Sequence, residues 1–135
     1  FPEAKIIHME RNPMASCWSI YKNEFRGNAY SFNQSDIAEY YGLYKDLMGF
    51  WNKLFPDKIL NFCYEDLTKN QEIETKNLLR YCELDWDENC LNFYNNESAV
   101  KTTSSMQVKQ KMYQGSSDAW KKYESFLQPL IKGLD

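Results

Sequence analysis

KIIHMERNPMASCWS, residues 5–19, is the stretch on which the reading of this chain turns. The apolar run Ile6-Ile7-His8-Met9 predicts a strand over residues 5–10. Because Ile6 and Ile7 are adjacent, that strand is expected to be covered on both faces, as in a parallel sheet whose earlier strands lie in sequence outside this chain. The run stops at Arg11. Asn12 is an acceptable cap, and Pro13 suits the first helical position, where its missing amide hydrogen would have had no partner. The spacing then predicts a helix from Pro13 to Phe25, broken by Gly27 and Asn28. A strand end followed at once by a helix start is where open α/β sheets bind ligands. Here it brings together the Arg11 guanidinium, the unpaired amides of a helix N-terminus and the Ser19 hydroxyl two turns on, donors suited to a phosphate. The plainer alternative is a strand-to-helix junction whose arginine meets a surface carboxylate.

Working outward, Ile37, Tyr40, Tyr41, Tyr44, Leu47, Met48, Trp51 and Leu54 recur at three-and-four spacing. They predict a helix over residues 34–54 with one buried stripe, capped near Asn33 and Asp36. Pro56-Asp57 marks a turn, and Ile59 to Tyr64 reads as a second strand. The resulting strand-helix-helix-strand order is that of an α/β domain. A further helix is expected over residues 71–82 with Ile73, Leu78 and Leu79 inward, and Asp85 with Glu88 has capping-box spacing ahead of Cys90. Between Asn95 and Gly115 periodicity is lost. The hydroxyl-rich Thr102-Thr103-Ser104-Ser105 is too polar for core and reads as a ligand-covering or disordered loop. A last helix is expected from Ser116 or Ser117, carrying Trp120, Tyr123, Leu127, Leu130 and Leu134, with Pro129 kinking or ending it.

Composition narrows the field. The chain has 135 residues, 43% of them hydrophobic, enough for the core of one domain. A formal net charge of -3 argues against a nucleic-acid binder, whose affinity rests on excess Lys and Arg. The four cysteines include no CxxC pair and accompany a single histidine, so no metal site is expected. Cys17, Cys63 and Cys82 read as packed thiols, and Cys82 could pair with Cys90 in a tight hairpin. His8 reads as a packed or hydrogen-bonded strand residue. Glu65 and Asp66 would diverge on a strand and are no catalytic pair, and Trp86 and Trp120 read as packing residues. No apolar run reaches membrane-spanning length and none reads as a signal peptide. A preceding half of the polypeptide would have carried any targeting signal, so that absence says little about compartment; a cytoplasmic location is the expectation.

The segment from Phe1 to Ser19 resembles the 3'-phosphate-binding segment of sulfotransferases that use 3'-phosphoadenosine 5'-phosphosulfate (PAPS), where a serine follows an arginine by eight positions. Tyr40-Tyr41, Met48-Gly49-Phe50-Trp51, Tyr64-Glu65-Asp66-Leu67, the run from Leu78 to Trp86, Ser104 to Val108, and Trp120-Lys121-Lys122-Tyr123 extend the likeness. Together they resemble the bacterial tetratricopeptide-associated sulfotransferases and, more distantly, the tyrosylprotein sulfotransferases. The resemblance implies a partial domain of P-loop nucleoside-triphosphatase-like α/β architecture, helix-rich with few parallel strands. It assigns Arg11 and Ser19 to the 3'-phosphate, Tyr64 to the lining of the nucleotide site, and Ser104 to a cofactor contact from the late loop. The family often has a basic residue before the tryptophan matched by Trp120; this chain has Ala119, and Lys121 or Lys122 is the substitute source of charge.

The implied activity is transfer of a sulfuryl group from PAPS to an acceptor hydroxyl on a peptide tyrosine, a sugar or a small metabolite. The family places the loop that cradles the 5'-phosphosulfate, and the catalytic base, before the segment with which this chain starts, so no catalytic residue is expected in it. The chain therefore reads as the C-terminal part of a longer sulfotransferase, inactive without the remainder of the polypeptide. Two other classes stand as alternatives: a non-enzymatic helical interaction module using the aromatic stripe, which requires Tyr40 and Trp51 to be exposed, and a fragment of a small-molecule kinase, which requires ATP and magnesium.

Overall fold

Strands β1 (Ile6–Glu10) and β2 (Ile59–Cys63) lie parallel, with Ile6 opposite Ile59, His8 opposite Asn61 and Glu10 opposite Cys63. The computed structural model describes residues 3–23, 27–96 and 109–135. Among these the sheet has two strands. Two helices make the crossover that parallel pairing requires: α1 (Pro13–Lys22) and α2 (Gln34–Leu54), with a 3₁₀ turn at Ala29–Phe32 between them. The chain then gives α3 (Tyr64–Lys69), α4 (Gln71–Tyr81), short 3₁₀ turns at Glu88–Cys90 and Phe93–Asn95, a 3₁₀ segment at Ser116–Phe126, and α5 (Gln128–Leu134). These elements fall into two units, Phe1–Cys63 with Gly115–Asp135, and Tyr64–Gln114.

The first unit holds the core. Cys17 of α1, Ile37 and Ala38 of α2 and Leu130 of α5 form a buried cluster, with Met14, Ile20, Tyr30, Tyr41 and Leu134 packed against it. Local chemistry sets each boundary. Asn12 Oδ1 accepts from the Ala15 amide at 3.0 Å, and Asn33 Oδ1 accepts from the Ser35 and Asp36 amides at 2.8 and 3.3 Å, so both long helices begin on a side-chain cap. Where α5 passes α2 the backbones nearly touch: a Cβ on Gly133 would lie 2.6 Å from that of Ala38.

Ile6 and Ile7 are 47% and 43% exposed, so the described residues leave both partly open, the cover expected for them lying in sequence outside this chain. Within this unit helix packing reaches β1 through residues such as Tyr44, which meets His8. Other expectations are corrected. On α2 the covered face is narrower than the expected stripe. Ile37 and Ala38 are buried and Tyr41, Tyr44 and Met48 half-buried, while Tyr40, Leu47, Trp51 and Leu54 are exposed. The eight residues do share one stripe of about 140°, but the described elements packed on α2, namely α1, α5 and the 3₁₀ turn at Ala29–Phe32, cover only part of it. The last helix is two pieces. Ser116–Phe126 runs as 3₁₀, where i and i+3 eclipse and Trp120, Tyr123 and Phe126 share an edge. Pro129 then sits in the first turn of α5, tolerated there because its absent amide hydrogen is not needed.

The second unit has no fully buried residue among those described. Tyr64 opens helix α3 rather than ending β2, and Glu65 and Asp66 lie in that helix's first turn, where acidic groups favour the dipole. Ile73 is exposed instead of inward. Asp87, not Asp85, caps the turn at Glu88, its carboxylate accepting from the Asn89 amide at 2.8 Å. Cys82 and Cys90 are free thiols, as are Cys17 and Cys63. Trp86 lies under the Lys76 ammonium, 4.8 Å from the ring centroid. The loop at Thr102–Ser105 lies outside the described residues.

Candidate functional site

Arg11 leaves β1 one residue before the α1 cap, and its half-buried guanidinium is held from far along the chain. Nε donates to Ser117 Oγ at 3.3 Å and Nη2 to Ser116 Oγ at 3.2 Å. Gly115, at φ 87°, supplies the left-handed turn that starts the serine-bearing segment. Arg11, Ser116 and Ser117 form a polar cluster close in sequence to the α1 N-terminus, whose partial positive charge adds to it.

The expected site residues fare differently. Ser19 lies on α1, two turns from the cap, and its hydroxyl is engaged by Asn23, whose Nδ2 lies 3.4 Å away and also donates to the Ser19 carbonyl at 2.7 Å. Ser16, a turn nearer Arg11, lines a cavity of about 320 Å³ together with it. Tyr64 stands at the start of α3 in the second unit, half-buried. Ser104 lies outside the described residues. Sequence reasoning missed Ser116 and Ser117 as partners of the arginine, and Ser16 as a residue of the cavity it lines. Ser16 could have been found from its place in the first turns after the cap; Ser116 and Ser117 are more than a hundred residues away, and only their position after a glycine marked them. Lys121, a candidate source of charge, pairs with Asp118 at 2.7 Å.

A second cavity, of about 410 Å³, shares Arg11 and Tyr44 with the first and is lined also by His8, Glu10, Lys45 and Asn52. Its histidine is hydrogen-bonded at both nitrogens. Nδ1 meets Asn61 Oδ1 at 2.8 Å, and Nε2 meets the Tyr44 hydroxyl in a short contact. Asn61 in turn donates to Asn52 Oδ1 at 3.1 Å. An amide oxygen can only accept, so Nδ1 carries the proton and Nε2 accepts from the phenol. Burial, and then the Glu10 carboxylate, push the Tyr44 phenol above its ordinary value. Tyr41 is raised by burial first, then by Tyr44, Cys17 and Glu10. Both phenols stay protonated as donors. Buried Cys17 is pushed up to about 12 by desolvation and is an inert thiol.

Among the described residues no group of three His, Cys, Asp or Glu side chains is placed to hold a metal, and no helix is long and apolar enough to cross a membrane.

Residues 1–88 match the model of the sulfotransferase family. The chain is also similar to an uncharacterized protein of Aquifex aeolicus (strain VF5), at 34% identity over 138 aligned residues that cover 99% of this chain and 18% of the relative. A family match across more than half of the sequence, including the β1–α1 junction, is decisive: the chain belongs to the sulfotransferase family. It spans less than a fifth of the length of that relative.

Proposed function

We propose that this chain is the nucleotide-anchoring C-terminal part of a PAPS-dependent sulfotransferase, with P-loop-like architecture, acting on an acceptor hydroxyl of a peptide tyrosine, a sugar or a small metabolite. Family membership supports sulfuryl transfer in general. The single observation that carries the nucleotide reading is the Arg11 guanidinium at the β1–α1 junction, held by the Ser116 and Ser117 hydroxyls beside a helix N-terminus. These donors fit an anion with several acceptor oxygens, such as a ribose-linked 3'-phosphate. Ser19 would reach the same phosphate by giving up Asn23. Tyr64 and Ser104 are assigned to the nucleotide on the family resemblance.

PAPS, when bound, supplies the sulfuryl group. What Arg11 and its serines do is fix the nucleotide's far end, so that binding energy gained there orients the reacting end. They anchor and do not transfer. The group that takes the acceptor's proton, and the donors for charge that develops on the leaving bisphosphate, are assigned to the remainder of the polypeptide. The subfamilies closest to this reading are the tetratricopeptide-associated and tyrosylprotein sulfotransferases.

Calorimetry with adenosine 3',5'-bisphosphate tests the reading. Arg11→Ala should weaken binding at least about tenfold, the scale of a lost charge-assisted contact. Equal affinity for adenosine 5'-phosphate, which lacks the 3' group, would overturn it.

A further inference from the structure

The two cavities that Arg11 lines differ in charge. The one that contains Glu10 and Lys45 offers both signs, whereas the cavity of about 320 Å³ has Arg11 as its one charged residue among the described lining residues. Its other polar side chains are Ser16, Tyr30, Tyr40 and Tyr41, the Tyr44 hydroxyl being spent on His8, and its walls are otherwise apolar, with Ile20 and Ile37 contributing aliphatic surface. Tyr30 and Tyr40 stack within its lining, ring centroids 4.1 Å apart and planes 8° from parallel. A volume just above 300 Å³, apolar walls and a few converging donors are the properties of small-molecule sites. Flat aromatic faces favour a flat ring by stacking. A single cation with no lining carboxylate favours an anion over a neutral analogue.

We propose that this cavity is a binding site for a ring-bearing monoanion, an aryl sulfonate, sulfate ester or carboxylate, whose charge meets Arg11 while its ring lies against the Tyr30–Tyr40 pair. Ligand binding stands on the cavity alone; a second consequence, competition with nucleotide for Arg11, rests on the reading under Proposed function. An aryl anion in this site and a 3'-phosphate on the same guanidinium then exclude each other, so a small aromatic anion acts as a brake on nucleotide binding.

Calorimetric titration of the protein with naphthalene-2-sulfonate, with 2-naphthol as the neutral control, provides the test. The sulfonate is expected to bind with a dissociation constant on the order of 100 µM and 2-naphthol about tenfold more weakly. Tyr40→Ala, a change at a half-exposed ring that leaves the core intact, should weaken the sulfonate about tenfold. Arg11→Gln should erase the preference for sulfonate over naphthol. Equal binding of the two probes to the unaltered protein, or an unchanged sulfonate affinity in Tyr40→Ala, overturns the proposal. Adenosine 3',5'-bisphosphate separates the two readings. Displacement of the sulfonate supports both, and sulfonate binding without bisphosphate binding sinks the nucleotide reading alone. Bisphosphate binding without sulfonate binding sinks the cavity proposal alone, and simultaneous binding of both overturns the competition.

Discussion

His8 and Asn61 stand opposite each other in the β1–β2 register, and Nδ1 of the histidine lies 2.8 Å from Oδ1 of the asparagine. This cross-strand pair is the middle of a chain that runs from Asn52 through Asn61 and His8 to the Tyr44 hydroxyl, tying both strands to α2. Replacing His8 by Phe would keep the ring volume and leave Asn61 Oδ1 and the Tyr44 hydroxyl to find new partners. The expected loss is about 1–3 kcal/mol, measured by urea denaturation. His8→Gln, which retains polar atoms, should lose less. Equal losses for the two variants would show that the ring packs and its nitrogens do not matter.

Cys17 carries a pH dependence whose sign is fixed by its burial. Its pKa rises from 9.0 to about 12 on folding, so below pH 9 the thiol is protonated in both states and folding is indifferent to it. Above pH 9 the unfolded chain releases the proton while the folded one retains it, so stability falls as pH rises from 9 toward 12. The slope approaches about 1.4 kcal/mol per pH unit from this group. Cys17→Ala should flatten the curve between pH 9 and 11, though it lowers stability everywhere by opening a small cavity. A slope unchanged in the variant would show that other groups dominate alkaline unfolding.

The sequence was most legible where a local rule decided the outcome. The α2 boundaries, Gln34 and Leu54, follow from the Asn33 cap and the end of the periodic run. The start of α1 follows from Asn12 and Pro13, and the parallel strands from their β-branched and apolar runs. What failed were judgements about which face finds a partner. Periodicity selects a side of a helix but not what lies across from it, so Tyr40 and Trp51 read as core although they are 51% and 37% exposed. The exposure that the interaction-module alternative requires is thus present, yet family membership favours the transferase. The 3₁₀ form of Ser116–Phe126 was hidden because Trp120, Tyr123 and Leu127 satisfy helical spacing as well. At the candidate site Arg11 was legible from the strand-to-helix junction, whereas Ser116 and Ser117 were not, because a contact across more than a hundred residues leaves no local pattern.

Gly133 is set by space rather than by backbone freedom. A methyl group there would meet the Ala38 Cβ at 2.6 Å, well inside contact distance, and α2 and α5 would have to separate. Gly133→Ala should therefore destabilise by about 1–3 kcal/mol, although alanine is the better helix former. Thermal unfolding of this variant beside Ala38→Gly/Gly133→Ala measures the effect, and the double variant should recover much of the loss. A Gly133→Ala protein as stable as its parent would mean that the helices part at no cost.

The serines that hold Arg11 supply the sharpest separation of a structural role from a ligand-binding one. Ser117→Ala removes the partner of Nε and Ser116→Ala that of Nη2. Each change should cost about 0.5–1.5 kcal/mol of stability, because the guanidinium can turn to water. If the cluster holds a phosphate, Ser116→Ala/Ser117→Ala should also weaken adenosine 3',5'-bisphosphate by about tenfold or more, since it loses two donors as well as the arginine's orientation. Adenosine 5'-phosphate should be affected far less, because the cluster is assigned to the 3' group. A double variant that loses stability but binds the bisphosphate like its parent would leave Ser116 and Ser117 as braces for Arg11, with the phosphate held elsewhere on α1.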